Sequence, residues 1–161
     1  MATRDGMSTI PATGVATIQA TCIAIDGAGV LLRGPSGSGK SDLALRLIDG
    51  GAALVSDDLV SITLEGGQAV ARLPARAPAE TRGRLEVRGV GILPVPTVAE
   101  ARLALVVELG GARPARLPEP ETAEIAGIFL PVLRLEAFEA SAPARIRLVL
   151  RRAVGGIIAA P

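Results

Sequence analysis

The segment Gly34-Pro35-Ser36-Gly37-Ser38-Gly39-Lys40-Ser41 constrains this chain more than any other, because it satisfies G-x-x-x-x-G-K-[ST] in full. Such a loop needs a strand feeding into it and a helix leaving it. The glycines let successive backbone N–H groups converge on one concavity, and the helix adds its positive end. Lys40 would reach the β- and γ-phosphates, and the Ser41 hydroxyl would ligate magnesium. The flanks agree. Residues 30–33 read as a short apolar strand, and 40–49 carry helical spacing that stops at Gly50-Gly51. The motif therefore predicts an α/β, P-loop-containing domain that binds a nucleoside triphosphate or a similar polyphosphate with magnesium.

The remaining pattern fills in that class. Strands are expected over 15–25, 52–56, 85–95 (interrupted by Gly89 and Gly91), 102–109 and 128–135. A β-hairpin pairs 59–64 with 69–73 around Glu65-Gly66-Gly67-Gln68. Loops cover 74–84 and 110–121, and a closing amphipathic helix covers 141–154, with Pro143 in its first turn. Its arginines 145, 147, 151 and 152 are expected on its wet face. The division is a loose arm over 1–14, one domain over 15–154 and a tail over 155–161.

Composition excludes several chemistries. The 161 residues include two Phe and no Tyr or Trp, so the core must be built from Leu, Val, Ile and Ala. The same scarcity excludes base stacking on aromatic platforms and argues against a single-stranded nucleic-acid binder. A net charge of +1 supplies no field toward DNA or an anionic membrane. Histidine is absent, which removes it as base, metal ligand or phosphate acceptor. Cys22, the only cysteine, lies in an apolar run and reads as a small core residue. No signal-peptide run opens the chain, and no apolar stretch reaches the roughly 18 residues of a membrane span. A cytoplasmic protein without nucleic-acid or membrane partners is the expectation. Lys40 is the only lysine in the chain.

Asp57 and Asp58 follow one strand after the loop. A helix over 40–49 runs roughly 15 Å away from the phosphates. A five-residue strand of about 17 Å brings the chain back. Ligands of open α/β sheets sit outside the carboxyl ends of strands, so the pair should flank the γ-phosphate. Adjacent strand residues face opposite ways, so one Asp would serve the site and the other a different task, unless the strand ends at Asp57. A magnesium contact and a base for a hydroxyl proton are the roles open to them.

Three elements together resemble HPr kinase/phosphorylase: Gly34–Ser41, Asp57-Asp58, and Leu85-Glu86-Val87-Arg88-Gly89-Val90-Gly91-Ile92. That bacterial enzyme phosphorylates a serine of the phosphocarrier HPr and also removes the phosphate. The third element, E-[IV]-R-G-x-G-[IL], discriminates best, because generic P-loop proteins lack it. The resemblance covers roughly 15–152, the catalytic domain without the separate N-terminal one, as in the short alphaproteobacterial form. It implies a mixed sheet with flanking helices, like the nucleotide domain of phosphoenolpyruvate carboxykinase, and commonly a hexamer. It implies that ATP and Mg2+ are bound, with Lys40 on phosphate and Ser41 and Glu86 on magnesium. It makes Asp58 the proton acceptor, with Asp57 sharing the proton or the metal. Arg116 matches a catalytic arginine, and Leu130-Pro131-Val132-Leu133-Arg134 falls where the family meets HPr. The family histidine falls near Gln19, and Gln cannot take up a proton at neutral pH. The competing expectations are a small-molecule kinase or NTPase, and a non-catalytic nucleotide sensor.

Overall fold

The computed structural model describes residues 14–155. The arm expected over 1–14 and the tail over 155–161 lie almost wholly outside the described residues. Strands β1 (Val15–Gln19), β2 (Thr21–Ile25) and β3 (Ala28–Arg33) lead through the glycine-rich loop into helix α1 (Lys40–Asp49). Strands β4 (Ala53–Ser56), β5 (Leu59–Glu65), β6 (Gln68–Arg72), β7 (Arg84–Val87), β8 (Gly91–Pro94) and β9 (Glu100–Leu109) follow. Strands β10 (Thr122–Ile125) and β11 (Ile128–Leu135) and helix α2 (Ala142–Gly155) complete the order.

Nine strands form one mixed sheet in the order β1-β5-β6-β9-β3-β2-β4, with β11 on β9 and β10 on β11. The β3–β9 and β9–β11 pairs are parallel, and the rest are antiparallel. Strand β9 divides its length, pairing with β6 through Arg102 and with β11 through Val106–Leu109. The hairpin β7–β8 stands apart as a second, two-stranded sheet.

Alternation along β3 and β9 explains both cores. Val30, Leu32, Leu105 and Val107 pack with Leu43 and Leu47 of α1 and Ile146 and Leu150 of α2. Leu31 and Val106 point the opposite way, into a second core with Cys22, Ile62, Ala71 and Ile125. A strand buried on both faces reads as an unbroken apolar run, as β2 does with all five residues buried.

The structure corrects several expectations. The strand expected over 15–25 is two strands hinged at Ala20, whose N–H donates to the Asp58 carbonyl at 3.0 Å. The stretch 85–95, expected as one interrupted strand, is a hairpin in which β7 and β8 pair across a turn at residues 88–90. The loop over 110–121 is followed by the unforeseen strand β10, paired to Ile128–Leu135. Arg147 does not belong to the wet face. Its guanidinium donates to the Leu47 carbonyl at 2.9 Å and so caps the carboxyl end of α1. Cys22 is buried as expected, and burial pushes its thiol up to about 12. No helix among the described residues is long and apolar enough to cross a membrane.

Leu105 is fully buried midway along β9, the strand on which both parallel pairs depend. Leu105→Ala should destabilise the fold by about 2–5 kcal/mol, read as a lower urea midpoint with an unchanged denaturant slope.

Candidate active site

The loop sits at the edge where the three parallel strands end. Strand β3 stops at Arg33 and the chain passes directly into Gly34. A Cβ at Gly34 would lie 2.6 Å from the Leu109 carbonyl oxygen and 2.6 Å from Ser38 Oγ, so only glycine fits. Gly39 ends the loop with φ 97°, and a Cβ there would lie 2.7 Å from that of Ala137. The loop is thus wedged between the end of β9 and the segment leaving β11. Within it, the Ser38 N–H donates to the Pro35 carbonyl at 3.0 Å.

The side chains have definite partners. Lys40 Nζ folds back over the loop and donates to the Gly34 and Pro35 carbonyls at 2.6 and 3.1 Å. Asp57 follows the last residue of β4 and faces α1. Its Oδ1 accepts from Thr21 Oγ1 at 2.7 Å and from Ser41 Oγ at 3.5 Å. Burial pushes the Asp57 carboxyl above its ordinary value, and hydrogen bonds from Thr21, the Asp58 backbone and Ser41 oppose that shift without cancelling it. Asp58 takes the other direction the sequence left open. It is exposed, with φ 73°, at the apex of a turn closed by Leu59 N–H to the Asp57 carbonyl at 2.9 Å. A three-residue turn with φ near +75° is rare and strained for a residue with a side chain. The Ser56 hydroxyl, which donates to the Leu59 carbonyl, supports it.

Beside the loop lies a cavity of about 490 Å³, bordered by Gln19, Arg33, Gly34, Pro35, Glu108 and Arg134 among others. Arg33 and Arg134 both stand opposite Glu108 in the strand register. Arg33 grips Glu108 with two bonds of 2.9 and 3.1 Å. Arg134 grips Glu121 with bonds of 2.8 and 2.6 Å, which holds that carboxyl below the usual range. Gln19, near which the family histidine is expected, stands on the cavity wall.

Not every expected site residue joins the loop. Glu86 alternates with Leu85 and Val87, which pack in the helix-side core, and is itself exposed. Arg116 is exposed in the connection after β9. Among the described residues, no hydrogen bond or ion pair links either to Ser41, Asp57 or Lys40. Thr21 was missed. A hydroxyl inside a fully buried apolar strand was the available signal for Thr21.

The loop fits a polyphosphate on two grounds. Ser38 Oγ is buried with no partner among the described residues. Helix α1 carries no side-chain cap at its start, which leaves its first-turn N–H groups for a ligand. The Ser41 and Asp57 oxygens suit a small hard cation. Among the described residues no three His, Cys, Asp or Glu side chains gather to hold a metal. A cation held here would take most of its ligands from phosphate and water, the usual habit of magnesium.

Comparison with known proteins agrees with this geometry. The family model described as HPr Serine kinase C-terminal domain matches residues 13–112, more than half of the chain. The chain belongs to the HPr serine kinase C-terminal domain family. It is 43% identical over 121 residues to the HPr kinase/phosphorylase of Aromatoleum aromaticum, covering 67% of this chain and 37% of that protein. It is 39% identical over 125 residues to the HPr kinase/phosphorylase of Burkholderia lata, covering 70% and 38%. The chain thus spans little more than a third of the length of these curated relatives. The structure of the Hpr(Ser) kinase/phosphatase from Coxiella burnetii superposes with a TM-score of 0.69 at 28% identity, over 84% of this chain and 88% of that one. The mixed sheet with flanking helices is therefore the fold of this family. The loop, the Asp pair and Glu86 lie inside the matched segment, and Arg116 lies outside it.

Burial of Asp57 carries a stability consequence. A carboxyl whose folded value is raised contributes most below its unfolded value of about 3.9, and that contribution is lost as pH rises through the folded value. At neutral pH its charge therefore opposes folding. Asp57→Asn should melt at a higher temperature than wild type at pH 7, and the gap should close as pH falls toward 4. Thermal denaturation across that range checks both statements.

Proposed function

We propose that this chain is an ATP- and Mg2+-dependent serine kinase/phosphorylase acting on an HPr-type phosphocarrier protein. On this reading it acts in the cytoplasm, regulates the phosphotransferase system and carbon metabolism, and assembles as the homo-hexamer that the family resemblance implies. The observation that carries the reading is the Ser41–Asp57 contact at the mouth of the loop, with Asp58 on the turn beside it, in a chain of this family.

Each residue then has a task. Lys40 exchanges its two loop carbonyls for β- and γ-phosphate oxygens. Ser41 and Asp57 hold magnesium, with Glu86 as a further ligand. An ion held there would supply neutralisation of the phosphate charge. Asp58 accepts the proton of the acceptor serine as its oxygen bonds to the γ-phosphorus and the bond to ADP breaks. In the reverse direction inorganic phosphate attacks phosphoserine, the serine oxygen takes the proton back from Asp58, and pyrophosphate leaves. Arg116 steadies the charge on the phosphoryl group in transit. The strained φ of Asp58 fits a residue held in place for function, since such strain gathers at active sites.

Incubation with ATP, magnesium and the organism's HPr should yield phosphoserine by mass spectrometry. Lys40→Ala should lower the rate at least about 100-fold, the scale of losing one preorganised electrostatic contact to the transition state. ATP hydrolysis without phosphoserine would reduce the protein to an NTPase. A separate expectation concerns the cavity wall. Gln19→His should introduce a rate dependence between about pH 5 and 8 in both directions, because histidine titrates there. Unchanged profiles would remove Gln19 from the chemistry.

A further inference from the structure

The chain has two aromatic side chains, Phe129 and Phe138, and both are exposed, at 67% and 61%. Exposure alone assigns neither a role. Their positions differ. Phe129 is at the amino end of β11, opposite Glu124, away from the strand ends that carry the loop. Phe138 lies against the loop itself. A Cβ on Gly39 would be 3.0 Å from Phe138 Cζ and 3.2 Å from Cε2, so the tip of the ring rests on the backbone just before Lys40.

The segment that carries the ring is anchored in that place. Arg46 of α1 donates to the carbonyls of Ala137 and, at 3.2 Å, Glu139, the two residues flanking Phe138. Arg46 is itself held by Asp42 at 2.9 Å, one turn back. The Phe138 N–H donates to the Glu136 carboxylate at 3.4 Å. The helix that begins the phosphate site therefore also anchors the segment that carries the ring. With its tip on Gly39, the ring keeps most of its surface open to solvent beside the phosphates' seat. Burying that surface against a flat apolar face is favourable, and every nucleobase offers such a face.

We propose that Phe138 is the platform on which the base of the bound nucleoside triphosphate stacks, purines being held more tightly than pyrimidines because their two rings cover more of it. This rests on the reading of Gly34–Ser41 as a triphosphate site.

Calorimetry with Mg-ATP and with magnesium tripolyphosphate, which has the phosphates and no base, separates the two ideas. Wild type should bind ATP more tightly than tripolyphosphate. Phe138→Ala should weaken ATP about tenfold, the worth of roughly one stacked base, and leave tripolyphosphate unchanged. Phe129→Leu should change neither. Phe138→Trp places the only indole in the chain; its emission should be quenched by ATP and not by tripolyphosphate. Unaltered ATP affinity in Phe138→Ala overturns the platform and leaves the phosphate loop standing. Slower transfer to HPr with unaltered ATP affinity overturns it too, and gives the ring to the protein substrate. If wild type binds neither ligand, the loop reading fails and the platform falls with it.

Discussion

The parallel pairing of β3 with β9, and of β9 with β11, is the constraint on which the rest of the structure depends. Parallel strands end at one edge, so Arg33, Leu109 and Leu135 arrive together. The chain leaves that edge three times: as the phosphate loop, as Gly110-Gly111, and as the segment toward α2. Each exit bounds the next. Leu109 leaves Gly34 no room for a side chain, and Ala137 leaves none for Gly39. The loop's shape is thus imposed from outside as well as by its own glycines. Had β9 run antiparallel to β3, its carboxyl end would lie at the far edge and the loop would have no wall. The two apolar faces of β3 and β9 hold the arrangement, since a slip of one residue would exchange their two cores.

Against this rigid frame the turn at Asp57-Asp58 works against stability. One aspartate is partly withdrawn from water, and its neighbour is held in a left-handed conformation. A fold chosen for stability alone would use asparagine at the first position and glycine at the second. The surroundings hold both residues in place: Thr21 and Ser41 on the carboxylate, Ser56 and Ala20 on the turn. Local violation of sequence preference beside such a loop is what the proposed chemistry calls for.

How far the sequence could be read depended on whether a residue's role is local. The loop and α1 were legible because the motif carries its own conformational demands, and α1 occupies the expected 40–49. The closing helix and the hairpin at Gly66-Gly67 were legible for the same reason. The hinge at Ala20 was not. Nothing in Gln19-Ala20-Thr21 breaks a strand; the break arises because the partner strand turns at Asp58. Strand β10 escaped because the prolines before it mask a segment that depends on β11 for every bond. Arg147 was placed on the wet face because helical periodicity cannot report where the end of α1 falls. Thr21 escaped because its partner is 36 residues away. The fold class and the site's centre were local facts, while the supports of the site are long-range ones.

The scarcity of aromatics shows the same limit in a different form. Two phenylalanines in 161 residues are a sound reason to dismiss a strand of nucleic acid, which needs a succession of rings along its path. Composition reports an average over the chain, and a mononucleotide asks nothing of the average. It needs one flat apolar surface at one distance from its phosphates. The sequence places Phe138 nearly a hundred residues from Gly39, across eight strands, with no spacing rule to connect them. Only the carboxyl edge of the parallel strands, and Arg46 reaching across it, put the ring against the loop. An exclusion drawn from counts therefore holds for extended ligands and fails for compact ones.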